Sequence, residues 1–445
     1  MKSALLIDDD PIVRLVLSKA LTAAGWSVRQ AQDGEEGIKA ALEHHPDAVI
    51  CDLLMPRCNG FQVCRALREK ADQLPGLKII ITTHRDFAID RLNAFESGAD
   101  HYLVKPIPAK ELLRLLENND TAKEGPAPSV GAPVPTAQLP AGNLVRFWGV
   151  RGSIPTPGPK TVFYGGNTTC VEIRLNGQLI ILDAGSGIRG LGEHLAGEFK
   201  GRSLDMTLLL THTHWDHIQG FPFFAPAYMP SNHVCIMGYE GYLKGLEGTL
   251  AAQMESSYFP IGLRQMPSNI RFQEQREMEF SIGSVRVRTI FANHPGICVG
   301  YRFDTATSSV AFMPDHESYA RMRLHPRSGG GKCQETHDYC HAEARKLTEF
   351  LRDVDVLILD SQYDKTEYQT RIGWGHSCYE DTVATALAAG VKRLFLFHHD
   401  PTHDDAQVSR MVGHSRELVA AQKSPLIVEA AREGLEILLP ESKPA

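Results

Sequence analysis

The sequence predicts an α/β protein in two parts: a doubly wound sheet of five parallel strands, then a larger part with two sheets covered by helices. Three observations carry this reading. Through the first hundred or so residues, short apolar runs alternate with stretches of helical spacing, as they do in parallel sheets. Beyond a stretch rich in Pro, Ala and Gly, the pattern changes to short strands with glycine turns, then to strands and helices mixed. At 445 residues the chain is also too long for one ordinary core.

Residues 4–7 (Ala-Leu-Leu-Ile) read as a buried strand ended by Asp8-Asp9-Asp10. Asp10 before Pro11 is a helix start, cap then first helical position. Apolar residues at Ile12, Val13, Val16, Leu17, Ala20 and Leu21 follow at helical spacing until Gly25. The alternation then repeats, with strands expected at Val28–Ala31, Ala48–Cys51, Ile79–Ile81 and His101–Val104. Helices are expected at 34–43, 61–70, 86–97 and 108–117. In such sheets function collects at the carboxyl ends of the strands. Asp8, Asp9 and Asp52 end strands there, Thr83 follows the fourth, and Lys105 the fifth. Three converging carboxylates call for a divalent cation and a lysine to neutralise them.

Residues 118–142 lack periodicity and read as a linker partly extended by its prolines. Beyond it, Val171–Leu175 and Leu179–Leu182 flank Asn176-Gly177, a hairpin signal. Further strands fit at 285–291, 299–303, 309–313, 355–359 and 393–397, and helices at 341–352, 379–389 and 404–421. The apolar run Leu208-Leu209-Leu210 leads into Thr211-His-Thr-His-Trp-Asp-His217. Four ligand-type side chains (His212, His214, Asp216, His217) thus follow one buried strand. Imidazole nitrogen and carboxylate oxygen suit zinc, iron or manganese. This loop is read as a metal site.

Composition narrows the function. Hydrophobic residues at 43% and charged ones at 22% are those of a soluble globular protein. A net charge of −7 gives no broad attraction to nucleic acid or an anionic membrane. The nine scattered Cys fit reduced thiols in a cytoplasm. No apolar run nears the roughly 18 residues of a membrane span. The apolar start meets Asp8 too early for a signal peptide, so a cytoplasmic location is expected.

The first part resembles the receiver domain of two-component response regulators. The resemblance rests on Ile7-Asp-Asp-Asp-Pro11, Asp52-Leu-Leu-Met-Pro56 with Gly60, and Gly98-Ala-Asp-His-Tyr-Leu-Val-Lys-Pro106. It implies a phosphoacceptor at Asp52, Mg²⁺ held by Asp8, Asp9 and Asp52, and a sensor histidine kinase as partner. It also implies that Thr83 and Lys105 contact the phosphoryl oxygens and that Tyr102 is the aromatic switch. His84 departs from the pattern, standing where receivers carry a small residue.

The second part resembles the metallo-β-lactamase superfamily, an αβ/βα sandwich with its metals at the sheet edges. Beside the His-x-His-x-Asp-His loop, the segments closest to the phosphodiesterase branch (tRNase Z and cyclic phosphodiesterases) are Asn293-His294 with Gly300-Tyr301-Arg302, Met313-Pro-Asp315, Gly375-His376-Ser377, and Phe397-His-His-Asp-Pro401. The resulting boundaries are 1–118 receiver, 119–142 linker and 143–440 hydrolase. The resemblance implies two divalent ions, zinc first and manganese or iron as alternatives. His212, His214 and His294 take one, Asp216, His217 and His398 the other, and Asp315 bridges. Neighbours on a strand point opposite ways, so only one of His398 and His399 faces inward readily, and the match to the family's His-x-x-Pro ending prefers His398. Two such ions would activate a bridging hydroxide against a phosphodiester. His376 would be the general acid, with Asp216 the other residue of the catalytic set. Asp183 either orients a ligand histidine or fixes the turn at Gly185.

The expected protein is a response regulator with a dinuclear phosphodiesterase output, acting on cyclic nucleotides or short nucleotide diesters and not on membranes or long nucleic acid. Control by receiver homodimerisation or by covering the pocket both stay open. The competing readings are a di-iron redox enzyme, against which His214 stands where such relatives carry Glu, and a non-catalytic signalling module. A second zinc site at Cys333, His337, Cys340 and His341 is set aside, because its spacing matches no common zinc pattern. The segment 225–272 is read as core before pocket wall, and Arg286 and Arg288 as a solvated strand face.

Overall fold

The computed structural model describes residues 2–440 apart from 54, 56–57, 84–90, 92–93, 96, 118–135, 141, 240–244, 256 and 321–333. His84, most of the helix expected at 86–97, most of the expected linker, and Cys333 with the side chain of His337 lie outside the described residues.

The first sheet holds β1 (Ser3–Ile7), β2 (Ser27–Ala31), β3 (Ala48–Asp52), β4 (Lys78–Thr83) and β5 (His101–Val104). All neighbours are parallel, in the order β2-β1-β3-β4-β5. The cap at Asp10 forms as the sequence implies, its carboxylate accepting from Ile12 N at 2.7 Å with Pro11 at the first helical position. The strand order reverses between β1 and β3, and a ligand crevice opens at such a switch point. Asp8 and Asp52 stand there.

The second sheet holds β6 (Asn143–Gly149), β7 (Cys170–Leu175), β8 (Gln178–Leu182), β9 (Asp205–Leu210), β10 (His233–Tyr239), β11 (Asn269–Gln275) and β19 (Glu436–Leu439). Its order is β11-β10-β9-β8-β7-β6-β19. The third holds β12 (Glu279–Ile282), β13 (Val285–Phe291), β14 (Val299–Asp304), β15 (Ser309–Met313), β16 (Val356–Asp360), β17 (Arg393–Phe397) and β18 (Ile427–Ala430), paired in sequence order. Asn176 and Gly177, with φ of 49° and 77°, make the tight turn between β7 and β8.

These two sheets face each other. Phe147, Ile173 and Leu182 from one interleave with Tyr301, Phe312, Phe395 and Phe397 from the other. Helix Ile188–Glu198 covers the outer face of the second sheet through Ile188, Leu191 and Leu195. Helices Tyr379–Ala388 and Asp405–Ala421 cover the outer face of the third. The result is a helix–sheet–sheet–helix sandwich. β8 and β9 run parallel, as do β15, β16 and β17, so their carboxyl ends gather at one edge.

Within the stretch expected to be linker, Thr136 pairs with Ser203, and Ala137 N donates to Ser203 O at 2.8 Å. Leu139 packs on the same core as helix Ile188–Glu198. The two parts of the chain also meet where the Asn59 amide donates to the Arg264 carbonyl.

Candidate metal centre

The ends of five buried strands supply the centre. β9 runs into Thr211–His217, and β17 into His398. Asp183 follows β8, Asp315 lies just past β15, and Asp360 closes β16. His294 stands in the turn after β13. Apart from β13, each run is buried and apolar as it nears the edge, so the sheet core fixes the backbone and the polar side chains emerge there.

The structure brings together all seven side chains expected to hold metal. His212, His214 and His294 form one group, Asp216, His217 and His398 another, and His212, His217 and Asp315 a third joining them; within each, the ligand atoms lie within 4.8 Å of one another. His214 Nδ1 is 3.1 Å from His294 Nε2, and His398 Nε2 is 3.1 Å from Asp216 Oδ2. Asp315 Oδ1 stands 3.0 Å from His217 Nε2 and 3.4 Å from His398 Nε2. His399 turns away, its Nε2 donating to the Ala431 carbonyl at 3.0 Å.

Outer contacts hold most of these rings at Nδ1 and so aim Nε2 inward. His217 Nδ1 donates to Asp183 at 2.8 Å, His294 Nδ1 to the Gly375 carbonyl at 2.9 Å, and His398 Nδ1 to Gln362 at 3.2 Å. His212 Nδ1 lies 3.1 Å from Thr211 Oγ1, which itself donates to Asp183 at 2.8 Å. The Asp183 carboxylate therefore serves two of the histidines, while Gly185 N donates elsewhere, to Thr169 O at 2.9 Å. Ser153 N donates to Asp216 Oδ2 at 2.7 Å.

The electrostatics match this division. Burial pulls His212 well below the usual imidazole range and His294 down to about 4, leaving the neutral form that ligates. His217 and His398 go the other way. Burial opposes a charge on them, yet Asp315 and Asp216 hold His217 well above that range and raise His398 to about 9. That negative field also attracts cations. Nε2 of His212 is buried with no hydrogen-bond partner, and Nε2 of His217 and Oδ1 of Asp315 face each other at 3.0 Å out of hydrogen-bond alignment. Ligation of a cation removes the cost of leaving such atoms unbonded. The residues present fit a pair of divalent ions.

His376 lies beside the cluster, its ring stacked on His398 with centroids 4.8 Å apart. Its Nδ1 donates to Asp360 Oδ2 at 2.7 Å. Asp360 also accepts from the backbone of His316 at 3.1 Å, Gln362 at 3.0 Å and Ser377 at 3.3 Å. Burial raises the Asp360 carboxyl, and His376 opposes that rise.

The receiver residues take a different arrangement. Lys105 Nζ lies 2.8 Å from Asp8 Oδ2 and 2.6 Å from Asp52 Oδ1, with all three side chains buried. Burial would lower the ammonium, but Asp52 and Asp8 together raise it. Asp9 is exposed beside this group, and Thr83 is buried, its carbonyl accepting from Lys105 N at 2.6 Å. Tyr102 is buried under the Arg91 guanidinium at 5.2 Å.

Residues 4–117 match the model of the response regulator receiver domain, and residues 179–399 that of the beta-lactamase superfamily domain. The first match covers about a quarter of the chain and the second just under half. Its receiver is similar to the response regulator MprA of Mycobacterium sp. (strain KMS), 42% identical over 125 residues, 27% of this chain and 53% of that protein. The chain thus spans about half the length of the curated relatives it matches. Among solved structures, the metallo-beta-lactamase fold protein YhfI from Bacillus subtilis is 15% identical with a TM-score of 0.46, covering 66% of this chain and 98% of that one. A diphosphatase from the PhnP family is 16% identical with a TM-score of 0.45, covering 67% and 100%. Among the described residues no helix is long and apolar enough to cross a membrane.

Sequence reasoning missed three parts of the metallo-β-lactamase half. Asp360, Gln362 and Glu317 hold His376, His398 and the Gly373–Gly375 backbone. Only Asp360 left a signal, since it ends an apolar strand just as Asp183 and Asp315 follow theirs. In the segment 225–272, Ala227, Leu246, Leu250, Leu263 and Met266 are core. Arg286 and Arg288 pair with Glu279 and Asp304 along their strand face.

Proposed function

We propose that the metallo-β-lactamase half is a two-metal hydrolase of phosphodiesters, acting on cyclic nucleotides or short nucleotide diesters, under control of phosphorylation at Asp52. The main support is a single juxtaposition: the Asp360–His376 pair sits against the seven-residue cluster, so a group able to donate a proton adjoins the side chains that would hold the ions. His212, His214 and His294 would hold one ion and Asp216, His217 and His398 the other, with Asp315 shared. Bound there, two divalent ions activate water and neutralise the phosphodiester oxygens.

The remaining work falls to the chain itself. Asp183, Gln362 and the Gly375 carbonyl fix the tautomers of His217, His398 and His294, so each presents Nε2 without reorganisation. Asp360 accepts a hydrogen bond from His376 Nδ1–H and so favours the protonated ring, whose Nε2–H would pass to the departing alkoxide and leave a neutral imidazole. The carboxylate then compensates the positive charge the ring carries before transfer.

A receiver implies a phosphodonor such as a sensor histidine kinase, with Asp8, Asp9 and Asp52 as the Mg²⁺ set and Thr83, Tyr102 and Lys105 as the residues that respond. The test is a substrate panel on full-length protein reconstituted with zinc or manganese, containing cyclic nucleotides, dinucleotides and bis(p-nitrophenyl) phosphate. Diester hydrolysis is expected. Turnover of lactams or thioesters alone would overturn the assignment. Beryllofluoride should change the diester rate in the native chain and leave Asp52→Ala unaffected.

A further inference from the structure

We infer that Trp215 and Trp374 form a base-stacking rim over the metal centre, gripping the nucleobase of a nucleotide substrate. The inference rests on the phosphodiesterase reading and names the part of the substrate that does not react. Trp215 lies between His214 and Asp216 and is 78% exposed. Trp374 adjoins Gly375 and is 61% exposed. A short path of contacts links them across the centre. The Gly375 carbonyl accepts from His294 Nδ1 at 2.9 Å, and His294 Nε2 is 3.1 Å from His214 Nδ1. Trp26 is buried and Trp148 half-buried, so the water-exposed indoles are the two beside the cluster.

A single exposed aromatic is ordinary on a protein surface. What sets Trp374 apart is its mounting. Gly373 and Gly375, with φ of 85° and 91°, flank it in an arch that other residues adopt poorly. Their N–H groups donate to the Glu317 carboxylate at 2.8 and 2.9 Å, and the Tyr368 hydroxyl donates to it as well. Glu317 is only 4% exposed. A Cβ on Gly375 would stand 2.5 Å from His294 Nδ1. A buried carboxylate, costly by itself, therefore pins the backbone of a loop whose large apolar side chain stays in water. Fixing the backbone while leaving the indole uncovered makes sense for a ring that meets a ligand.

The ligand chemistry follows from the surroundings. His294 and His214 link the segments that carry the two indoles, so the rim offers two separate flat faces. Bases stack on indole faces with little regard to identity. In a nucleotide diester, the base is the flat group nearest the phosphate.

The test titrates zinc-reconstituted full-length protein with adenosine 5′-monophosphate and, separately, ribose 5-phosphate, following tryptophan emission. The nucleotide should quench emission and the sugar phosphate should not. Trp215→Ala and Trp374→Ala should each weaken nucleotide binding about tenfold with zinc content unchanged, and Trp374→Phe should recover most of the loss. Equal nucleotide affinity in the native chain and both alanine variants would overturn the inference. So would an emission change on phosphatidylglycerol vesicles without any response to the nucleotide. Binding needs no turnover, so the result is readable even if no diester is cleaved. Conversely, base-free and base-bearing diesters cleaved with the same KM in native and variant chains would keep the phosphodiesterase and remove the stacking.

Discussion

In the receiver, Asp8 and Asp52 are buried against the Lys105 ammonium, at 2.8 and 2.6 Å. In the metallo-β-lactamase half, Asp216 and Asp315 are as deeply buried, but the groups that hold their carboxyls well below the usual range, against the opposing effect of burial, are imidazoles. A lysine ammonium is a permanent counterion that cannot ligate a metal while charged. An imidazole balances a carboxylate when protonated and ligates when neutral. The first arrangement keeps a site intact with the chain's own charges; the second suits charge that arrives from outside. Consistent with this, the described receiver atoms at Asp8, Asp52 and Lys105 are paired, whereas His212 Nε2 in the other cluster is buried without a hydrogen-bond partner.

Chelation tests this contrast with the largest effect. Stripping the ions, or substituting Asp315→Ala, should bring diester turnover to background and metal content below two per chain, while the Asp315→Ala chain, supplied with Mg²⁺, still binds beryllofluoride at the receiver. A chelated chain of undiminished activity would erase the distinction between the two sites. Next, His376→Ala should lose about 10³-fold in turnover, within the usual range for a general acid, and keep its metal by elemental analysis. In the receiver, Lys105→Met leaves Asp8 and Asp52 uncompensated and should destabilise that domain by about 3 kcal/mol, seen as a lowered urea midpoint that Mg²⁺ restores. The other domain should unfold as before. The smallest effect belongs to Asp360→Asn, which keeps the shape beside His376 but not the charge. A loss of about 10-fold to 100-fold in turnover with full metal content is expected. A response equal to that of His376→Ala would mean the two act as one unit.

The seven-residue cluster was legible because most of its members follow an apolar strand, and strand ends in such sheets meet at one edge. His212, His214, Asp216 and His217 announce themselves by spacing within one loop. His294, Asp315 and His398 needed the resemblance to a family, since no local pattern ties them to that loop. Which partner holds which ring was not legible. Gln362 stands beside His398 only because β16 and β17 pair in register, and Glu317 reaches Gly373 and Gly375 across more than fifty residues. Such pairings are properties of the assembled sheet edge. The exposure of Trp374 belongs to the same class, because a glycine on each side reads equally well as an ordinary turn.

The bridge between Thr136 and Ser203 limits how far the receiver can lie from the sandwich. It fastens the chain to the sandwich shortly after the receiver ends at helix Ala109–Glu117. However the intervening residues run, Glu117 cannot stray more than roughly 65 Å from Thr136. Confinement to a sphere of that radius is equivalent to a local concentration on the order of 1 mM. A contact such as the hydrogen bond from Asn59 to Arg264, which alone would be too weak to join separate molecules, forms here between partners held at that concentration.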